Sequence, residues 1–197
     1  MQQEAFFGSW AQESYLSAEI RGSLYDLNHR FLDLAAVRAE WVAARVAALS
    51  SAQRAAAAGC PYALFDLRFQ DDGYWRLRLQ NLGSWGVADE AAADDDTVSF
   101  VRLALFYAWH VASSDGIKAQ LLLGMNGTTA AAFRRLTVNR LPALVASEAK
   151  HLSPRWNGSA VYWDSLTAAA ARTDLKALRR VQLHGLQLAA AARLPDP

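Results

Sequence analysis

The chain has 197 residues, a single cysteine, Cys60, and no apolar run near the roughly 20 residues that a membrane-spanning helix needs. One cysteine cannot form an internal disulfide, and chains of this kind usually belong to reducing compartments. The first ten residues carry Glu4 and no positive charge, which is not the pattern of a signal peptide. We therefore expect a cytoplasmic protein with no membrane insertion.

Sequence motifs of catalysis and metal binding are also missing. The four histidines, His29, His110, His151 and His184, show no ligand spacing with cysteine or carboxylate partners. The chain has no Gly-x-Ser-x-Gly and no His-Glu-x-x-His. Residues 124–127, Gly-Met-Asn-Gly, lack the lysine of a phosphate loop, so they indicate a helix stop and a turn. We expect no metal, no cofactor and no enzymatic activity.

Composition and charge favour a folded, helical chain with two unlike halves. Apolar residues make up 53% of the chain, and the abundant alanine favours helix. Up to Phe100 there are eight Lys and Arg against fourteen Asp and Glu, a net charge of −6. From Val101 onward there are twelve against five, a net charge of +7. Either the halves face each other, or the basic half meets an anionic partner.

Helical spacing covers most of the chain. We predict helices over about 9–21 and 23–48, separated at Gly22, and a short helix from Ser50 to Gly59. Further helices are predicted from Phe100 onward, and the tail helix is broken near Thr173. A seam at 3-4-3-4 spacing in the tail predicts packing inside the protein or against a second chain: Leu178, Val181, Gly185, Leu188 and Ala192.

The segment 62–80 has the two-residue period of strands. Apolar residues alternate with polar ones over residues 65–70 and again over 75–80, with Asp71-Asp72-Gly73 between them. A three-residue loop would pair Phe69 with Trp75. The sequence thus predicts one β-hairpin in a mainly α fold. Residues 83–97, which have no clear pattern and end in three aspartates, predict a linker whose acidic end caps the next helix.

A weak internal repeat relates the two halves. Shifting the sequence by 87 positions places Leu49 on Leu136, Arg68 on Arg155 and Phe69 on Trp156. The pairs Tyr74-Trp75 and Tyr162-Trp163 lie one residue out of step with that shift.

Both repeats resemble one family, the FlhD subunit of the bacterial flagellar master transcription regulator. In the second half the resemblance lies in residues 107–112, Tyr-Ala-Trp-His-Val-Ala, then Asp115 and residues 118–125, Lys-Ala-Gln-Leu-Leu-Leu-Gly-Met. In the first half it lies in residues 24–28, Leu-Tyr-Asp-Leu-Asn, and 67–71, Leu-Arg-Phe-Gln-Asp. The resemblance as a whole, including the segments between these stretches, covers about two thirds of the chain.

The resemblance implies a multihelical fold of two FlhD-like modules in tandem, a fused pseudo-dimer. We assign residues 1–82 to a first, shortened module with the hairpin, 83–97 to the linker, and 98–197 to a second module with the C-terminal helices. The family acts through a partner, the FlhC subunit, on promoters. Its disulfide-forming cysteine would fall at Phe65, so Cys60 does not inherit that role.

A candidate helix-turn-helix spans Thr128–Arg135, a turn, and a helix from Asn139 to about Ala149. Basic residues surround it, as phosphate contact requires, although tight helix pairs are common in helical proteins. The candidate DNA-contacting residues are Arg134, Arg135, Arg140, Lys150 and Arg155. DNA is therefore one candidate partner.

Two tryptophans and a basic tail are the candidate protein contacts. Trp85 lies in the predicted linker, and Trp156 lies between Arg155 and Asn157. An exposed tryptophan beside an arginine is typical of interface anchors. Arg179 and Arg180 belong to a tail cluster that either contacts phosphate or binds the acidic first half. We expect a regulatory protein that assembles with an FlhC-like partner, with homo-oligomers as a further expectation. The alternative is an adaptor or structural subunit of a bacterial secretion, motility or polymer-export apparatus, without DNA binding.

Overall fold

The computed structural model describes residues 17–37, 42–81 and 94–192, and these are mainly helical, as the sequence predicts. In chain order the elements are α1 (Ala18–Val37), α2 (Ala43–Ala47), α3 (Ser51–Ala58), β1 (Phe65–Asp66), α4 (Asp72–Gln80), α5 (Asp95–Ser114), α6 (Gly116–Leu123), α7 (Gly127–Arg135), a 3-10 helix (Val138–Arg140), α8 (Pro142–Ala149), β2 (Ser153–Pro154), α9 (Ala160–Ala171) and α10 (Leu175–Ala191).

Helix α1 organises the irregular chain that precedes β1. The helix runs through Gly22, so the predicted break there is wrong. It buries Asn28, whose Nδ2 donates to the carbonyl oxygens of Cys60 and Tyr62 at 3.3 and 2.9 Å. The backbone N–H of Leu64 donates to Asn28 Oδ1 at 2.8 Å. One buried amide thus satisfies backbone groups that have no regular secondary structure to pair with.

The predicted hairpin over 62–80 is wrong, because its second half is helix α4. The Asp71 carboxylate caps that helix by accepting from the Tyr74 N–H at 2.8 Å. Trp75 and Arg78 are buried while Leu77 is exposed, which is a helical and not an alternating pattern. Aspartate caps and first-turn carboxylates stabilise helix starts, and here they prevail over the alternation.

The single antiparallel ladder of the described residues joins distant parts of the chain. Strand β1 pairs with β2, with Phe65 opposite Pro154 and Asp66 opposite Ser153. The Arg155 N–H extends the pairing by donating to the Leu64 carbonyl at 2.8 Å. Each predicted half therefore contributes one strand to a ladder at the centre of the molecule.

A strand–turn–helix unit occurs twice around this ladder, at an offset of 88 residues. In the first copy Arg68 has φ of 57° and accepts from the Asp71 N–H at 2.9 Å. In the second copy Trp156 has φ of 52° and accepts from the Ser159 N–H at 2.7 Å. Asp71 and Ser159 both cap the helix that follows. The offset that matches Tyr74-Trp75 with Tyr162-Trp163 is thus the structural one in this segment, and Arg68 corresponds to Trp156 instead of Arg155.

The core combines aromatic rings from both halves. Phe31 and Phe65 contact Phe100 with ring centroids 6.0 and 5.1 Å apart, and Phe31 also lies 6.5 Å from Trp163. Two ion pairs cross the same boundary, Arg45 with Asp164 and Arg78 with Glu148. In both pairs the first half supplies the arginine and the second half the carboxylate. The net charges of the halves would suggest the reverse, with carboxylates from the acidic first half and cations from the basic second half.

The helix ends of the second half follow the sequence closely. Asp94 caps α5 by accepting from the Thr97 N–H at 2.8 Å, so the acidic end of the predicted linker does cap a helix. Gly124, with φ of 74°, ends α6, and Asn126 caps α7. The tail is broken where predicted, because Thr173 has φ of 50° between α9 and α10. Most of the predicted tail seam is buried within the protein, at Leu178, Val181 and Gly185.

Candidate functional site

A groove between α4 and α7 collects three arginine side chains. Its cavity measures about 390 Å³, and the 3-10 helix closes one side. Its lining includes Arg76, Arg135 and Arg140, the carboxylate of Asp72, and the apolar side chains Leu79 and Leu136. The sequence predicted Arg135 and Arg140 as contact residues, and the structure brings them to one groove.

Arg76 is the groove residue that sequence reasoning missed. The alternating pattern of residues 75–80 puts Arg76 on the polar face of a hairpin strand, away from the residues of α7. In helix α4 it is exposed and faces the same cavity as Arg135. The signal that could have found it is the Asp71 cap, which predicts a helix over this segment.

Aromatic packing fixes the two walls of the groove. The Phe133 ring of α7 lies 4.8 Å from the Trp75 ring of α4 and 5.9 Å from the Phe69 ring. Asn126 ties the start of α7 to the chain before α4, since its Nδ2 donates to the Gln70 carbonyl at 2.8 Å. These contacts fix the spacing of the two helices that carry Arg76 and Arg135.

Arg155 is not a DNA contact, because its side chain is buried and only 4% exposed. Its Nη1 donates to the Leu122 carbonyl at 2.9 Å, and its guanidinium carbon lies 4.6 Å from the centre of the Trp156 ring. Burial lowers the pKa of Arg155 to about 10, while the Asp66 carboxylate opposes that shift. Burial in turn raises the pKa of Asp66. This arginine belongs to the core beneath Gly124.

The candidate helix-turn-helix differs from the prediction in its second helix. The span from Asn139 to Ala149 is a 3-10 helix, Val138–Arg140, followed by α8 from Pro142. Arg134 lies exposed on α7, and Lys150 lies exposed at the end of α8. The exposed face of α8 itself carries Pro142, Ala143 and Ala146. These side chains offer no hydrogen-bonding group to a base edge, which direct readout in the major groove requires. The exposed arginines can contact phosphate, and α8 cannot read sequence.

The candidate partner contacts fall into three different environments. Trp85 lies outside the described residues. Trp156 is half-buried, with its ring 4.6 Å from Tyr162 and 5.2 Å from Tyr62. Arg179 and Arg180 are exposed on α10. The interface expectation therefore rests on α10, since Trp156 is held mainly by contacts within the protein.

Helix α10 has a second apolar face in addition to its buried seam. Leu175, Leu183 and Leu186 are 70%, 60% and 37% exposed. They recur along one side of the helix at intervals that place Arg179 between them. We call Leu175, Arg179, Leu183 and Leu186 the α10 outer face.

A buried thiol and two phenols form the polar centre of the core. Cys60 Sγ lies 3.9 Å from the Tyr162 hydroxyl, which donates to the Tyr62 hydroxyl at 3.2 Å. Burial raises the pKa of Cys60 from 9.0 to about 11, and it raises the pKa of Tyr62 and Tyr162 as well. Tyr62 in turn donates to the Val181 carbonyl at 3.3 Å. The cluster is uncharged at neutral pH and joins α10 to the rest of the core.

Within the described ranges, no group of three His, Cys, Asp or Glu side chains is arranged to hold a metal ion. None of the helices in these ranges is long and apolar enough to cross a membrane. No protein-family model, curated protein or solved structure matches the chain.

Proposed function

We propose that this protein is a regulatory assembly module of the FlhD type, which acts by binding another protein. The α10 outer face carries this proposal. Single exposed leucines are ordinary on protein surfaces. Three on one helix face form a contiguous apolar patch, and the arginine among them is a residue type enriched at interfaces. The recurring strand–turn–helix unit supports the fused-pair arrangement that the resemblance to FlhD implies.

The proposed partner is an FlhC-like protein, and the proposed influence on transcription passes through that partner. Arg134 and Lys150 are exposed and can contact DNA phosphates, whereas the outer face of α8 has no groups for base readout. A partner that reads the promoter would supply the sequence specificity that the outer face of α8 does not offer. The basic residues would then contribute salt-dependent affinity without sequence preference.

An adaptor without DNA binding is the second candidate function. The small, apolar outer face of α8, with Pro142, Ala143 and Ala146, favours it. Such a protein would use the α10 outer face to join a secretion, motility or polymer-export apparatus. The two functions share the protein contact and differ in DNA binding.

The α10 outer face is tested by substitution in a complex with a purified candidate partner, either an FlhC-like protein or an apparatus component. We expect Leu183→Ser to weaken binding at least about tenfold, because it removes a central apolar contact. Val161→Ser is the matched control, since Val161 on α9 is 70% exposed and lies outside the α10 outer face. Equal affinity of Leu183→Ser and the wild type, or an equal loss in Val161→Ser, would refute the assignment.

A gel-shift series separates the two candidate functions. Promoter DNA is titrated with the chain alone, with the partner alone and with the complex, at several salt concentrations. The regulatory function predicts that the complex binds more tightly than the partner alone and with a steeper salt dependence. The adaptor function predicts no added affinity. Light scattering of the chain alone tests the homo-oligomer, which Leu183→Ser would dissociate if a second copy covers the α10 outer face.

A further inference from the structure

We propose that the groove between α4 and α7 is a binding site for a small phosphomonoester, that is, a phosphate group on an apolar or aromatic body. The site is independent of the partner surface on α10. Its volume of about 390 Å³ lies within the range of small-molecule sites, roughly 300–1,000 Å³.

The charge of the groove matches a phosphomonoester. Arg76, Arg135 and Arg140 bring three positive charges to the lining, and Asp72 brings one negative charge. Among these described lining residues positive charge is in excess, which suits a phosphate group that carries about −1.5 to −2 at neutral pH. Guanidinium groups bind phosphate oxygens through paired hydrogen bonds, which lysine cannot reproduce.

Arg76 and Arg135 are available for a ligand. Neither Arg76 nor Arg135 has a carboxylate within ion-pair distance in the described part of the chain. This distinguishes them from Arg68 and Arg78, their neighbours on the same segment, which pair with Asp71 and Glu148. Two unpaired cations on facing helices repel each other, and a bound anion removes that repulsion.

The apolar part of the groove would hold the body of the ligand. Leu79 and Leu136 line the cavity together with the arginines and would contact that apolar or aromatic body.

The test uses adenosine monophosphate as the probe, with adenosine and inorganic phosphate as its two parts. Binding to the full chain is measured by calorimetry and by thermal shift at physiological salt. We expect saturable binding of the monophosphate, weaker binding of phosphate, and no binding of uncharged adenosine. Binding of adenosine as tight as that of the monophosphate would overturn the proposal, as would the absence of binding by both phosphate probes at millimolar concentration.

Matched variants assign the binding to the groove. We expect Arg76→Gln and Arg135→Gln each to weaken the monophosphate at least about tenfold, since each removes a charge-assisted contact. Arg134→Gln is the control, because Arg134 is exposed on the same helix but does not line the cavity. If Arg134→Gln costs as much as Arg135→Gln, the binding is general surface attraction of phosphate, as for a DNA backbone, and the proposal is wrong.

Discussion

Trp75 and Trp163 make the same hydrogen bond at positions 88 residues apart. The indole N–H of Trp75 donates to the Leu67 carbonyl at 3.2 Å, and that of Trp163 donates to the Arg155 carbonyl at 2.9 Å. Both side chains are fully buried. Each indole therefore holds the start of a helix against the strand and turn that precede it, once in each copy of the strand–turn–helix unit.

Replacing either tryptophan by phenylalanine should destabilise the protein by a similar amount. Trp75→Phe and Trp163→Phe each remove the indole hydrogen bond and leave a cavity, so we expect a loss of about 2–4 kcal/mol in the free energy of unfolding. Urea denaturation measures it. Trp109→Phe is the comparison, because Trp109 donates to Leu136 but is only half-buried, and its loss should be smaller. A neutral Trp75→Phe beside a costly Trp163→Phe would mean that the two copies are not energetically equivalent.

Two helical glycines should respond to alanine with opposite signs. A Cβ at Gly185 would overlap the Tyr62 hydroxyl, whereas a Cβ at Gly22 would meet nothing within 4 Å. We expect Gly185→Ala to cost about 1–3 kcal/mol through overpacking. Gly22→Ala should add about 0.5–1 kcal/mol because alanine loses less backbone entropy in a helix. Thermal and urea unfolding check both. A stabilising Gly185→Ala would show that α10 does not pack this closely on Tyr62.

The buried ion pair of Arg78 and Glu148 should be far more costly to break than an exposed one. Arg78 Nε lies 3.0 Å from Glu148 Oε1, and the Tyr74 hydroxyl donates to Glu148 Oε2 at 2.7 Å. Glu148→Gln leaves the buried guanidinium without its counter-charge, and we expect a loss of about 3–5 kcal/mol.

Asp164→Asn is the matched control for that ion pair, because Asp164 pairs with Arg45 at the surface. The carboxylate of Asp164 is 53% exposed, and we expect its loss to cost less than about 1 kcal/mol. Equilibrium denaturation of both variants gives the comparison. Similar costs for the two substitutions would contradict the burial of Glu148.

The protein should lose stability as the pH rises above about 9. The pKa of Cys60 is raised to about 11 in the folded chain, against 9.0 for an unburied thiol. The unfolded chain therefore releases its thiol proton first, so the contribution of Cys60 is complete below pH 9 and is lost as the pH rises toward 11. Tyr62 and Tyr162 act in the same direction at higher pH, since burial also raises their pKa.

The measurement is the free energy of unfolding at pH 7, 8, 9 and 10. Cys60→Ala should show a shallower decline between pH 9 and 10, because it removes one of the groups whose ionisation favours unfolding. The native thiol should also react slowly with a thiol reagent at pH 8 and quickly in urea. Fast reaction of the folded protein would show that Cys60 is accessible.

Local signals in the sequence predicted most helix ends. The pairing of strands that are far apart in the sequence could not be predicted from such signals. Ser50, Asp94 and Asn126 each cap a helix through a contact within three residues, which makes such ends visible in sequence. The ladder between β1 and β2 joins segments with many residues between them, and each strand is only two residues long. No periodicity can develop over so short a strand.

The two errors that matter for function have specific physical causes. Trp75, Leu77 and Leu79 fit a strand period, but Trp75, Arg78 and Leu79 fit a helix, and the Asp71 cap decides between them. Arg155 was expected at the surface because arginine is rarely buried. Its burial depends on Gly124, where a Cβ would lie 2.8 Å from the guanidinium. Arg155 is thus buried only because Gly124, which is distant in sequence, has no side chain. Such a contact between distant residues cannot be predicted from local sequence.

The corresponding turns of the two copies carry different side chains on the same support. Arg68 stacks on the Tyr74 ring at 4.3 Å in the first copy, and Trp156 packs on the Tyr162 ring at 4.6 Å in the second. Identical subunits would have to present one chemistry at both places. Because the two turns occupy separate positions of one polypeptide, a cation faces solvent at the first turn while an aromatic ring closes the interior at the second. A substitution can therefore suit one turn to its own neighbours without changing the other.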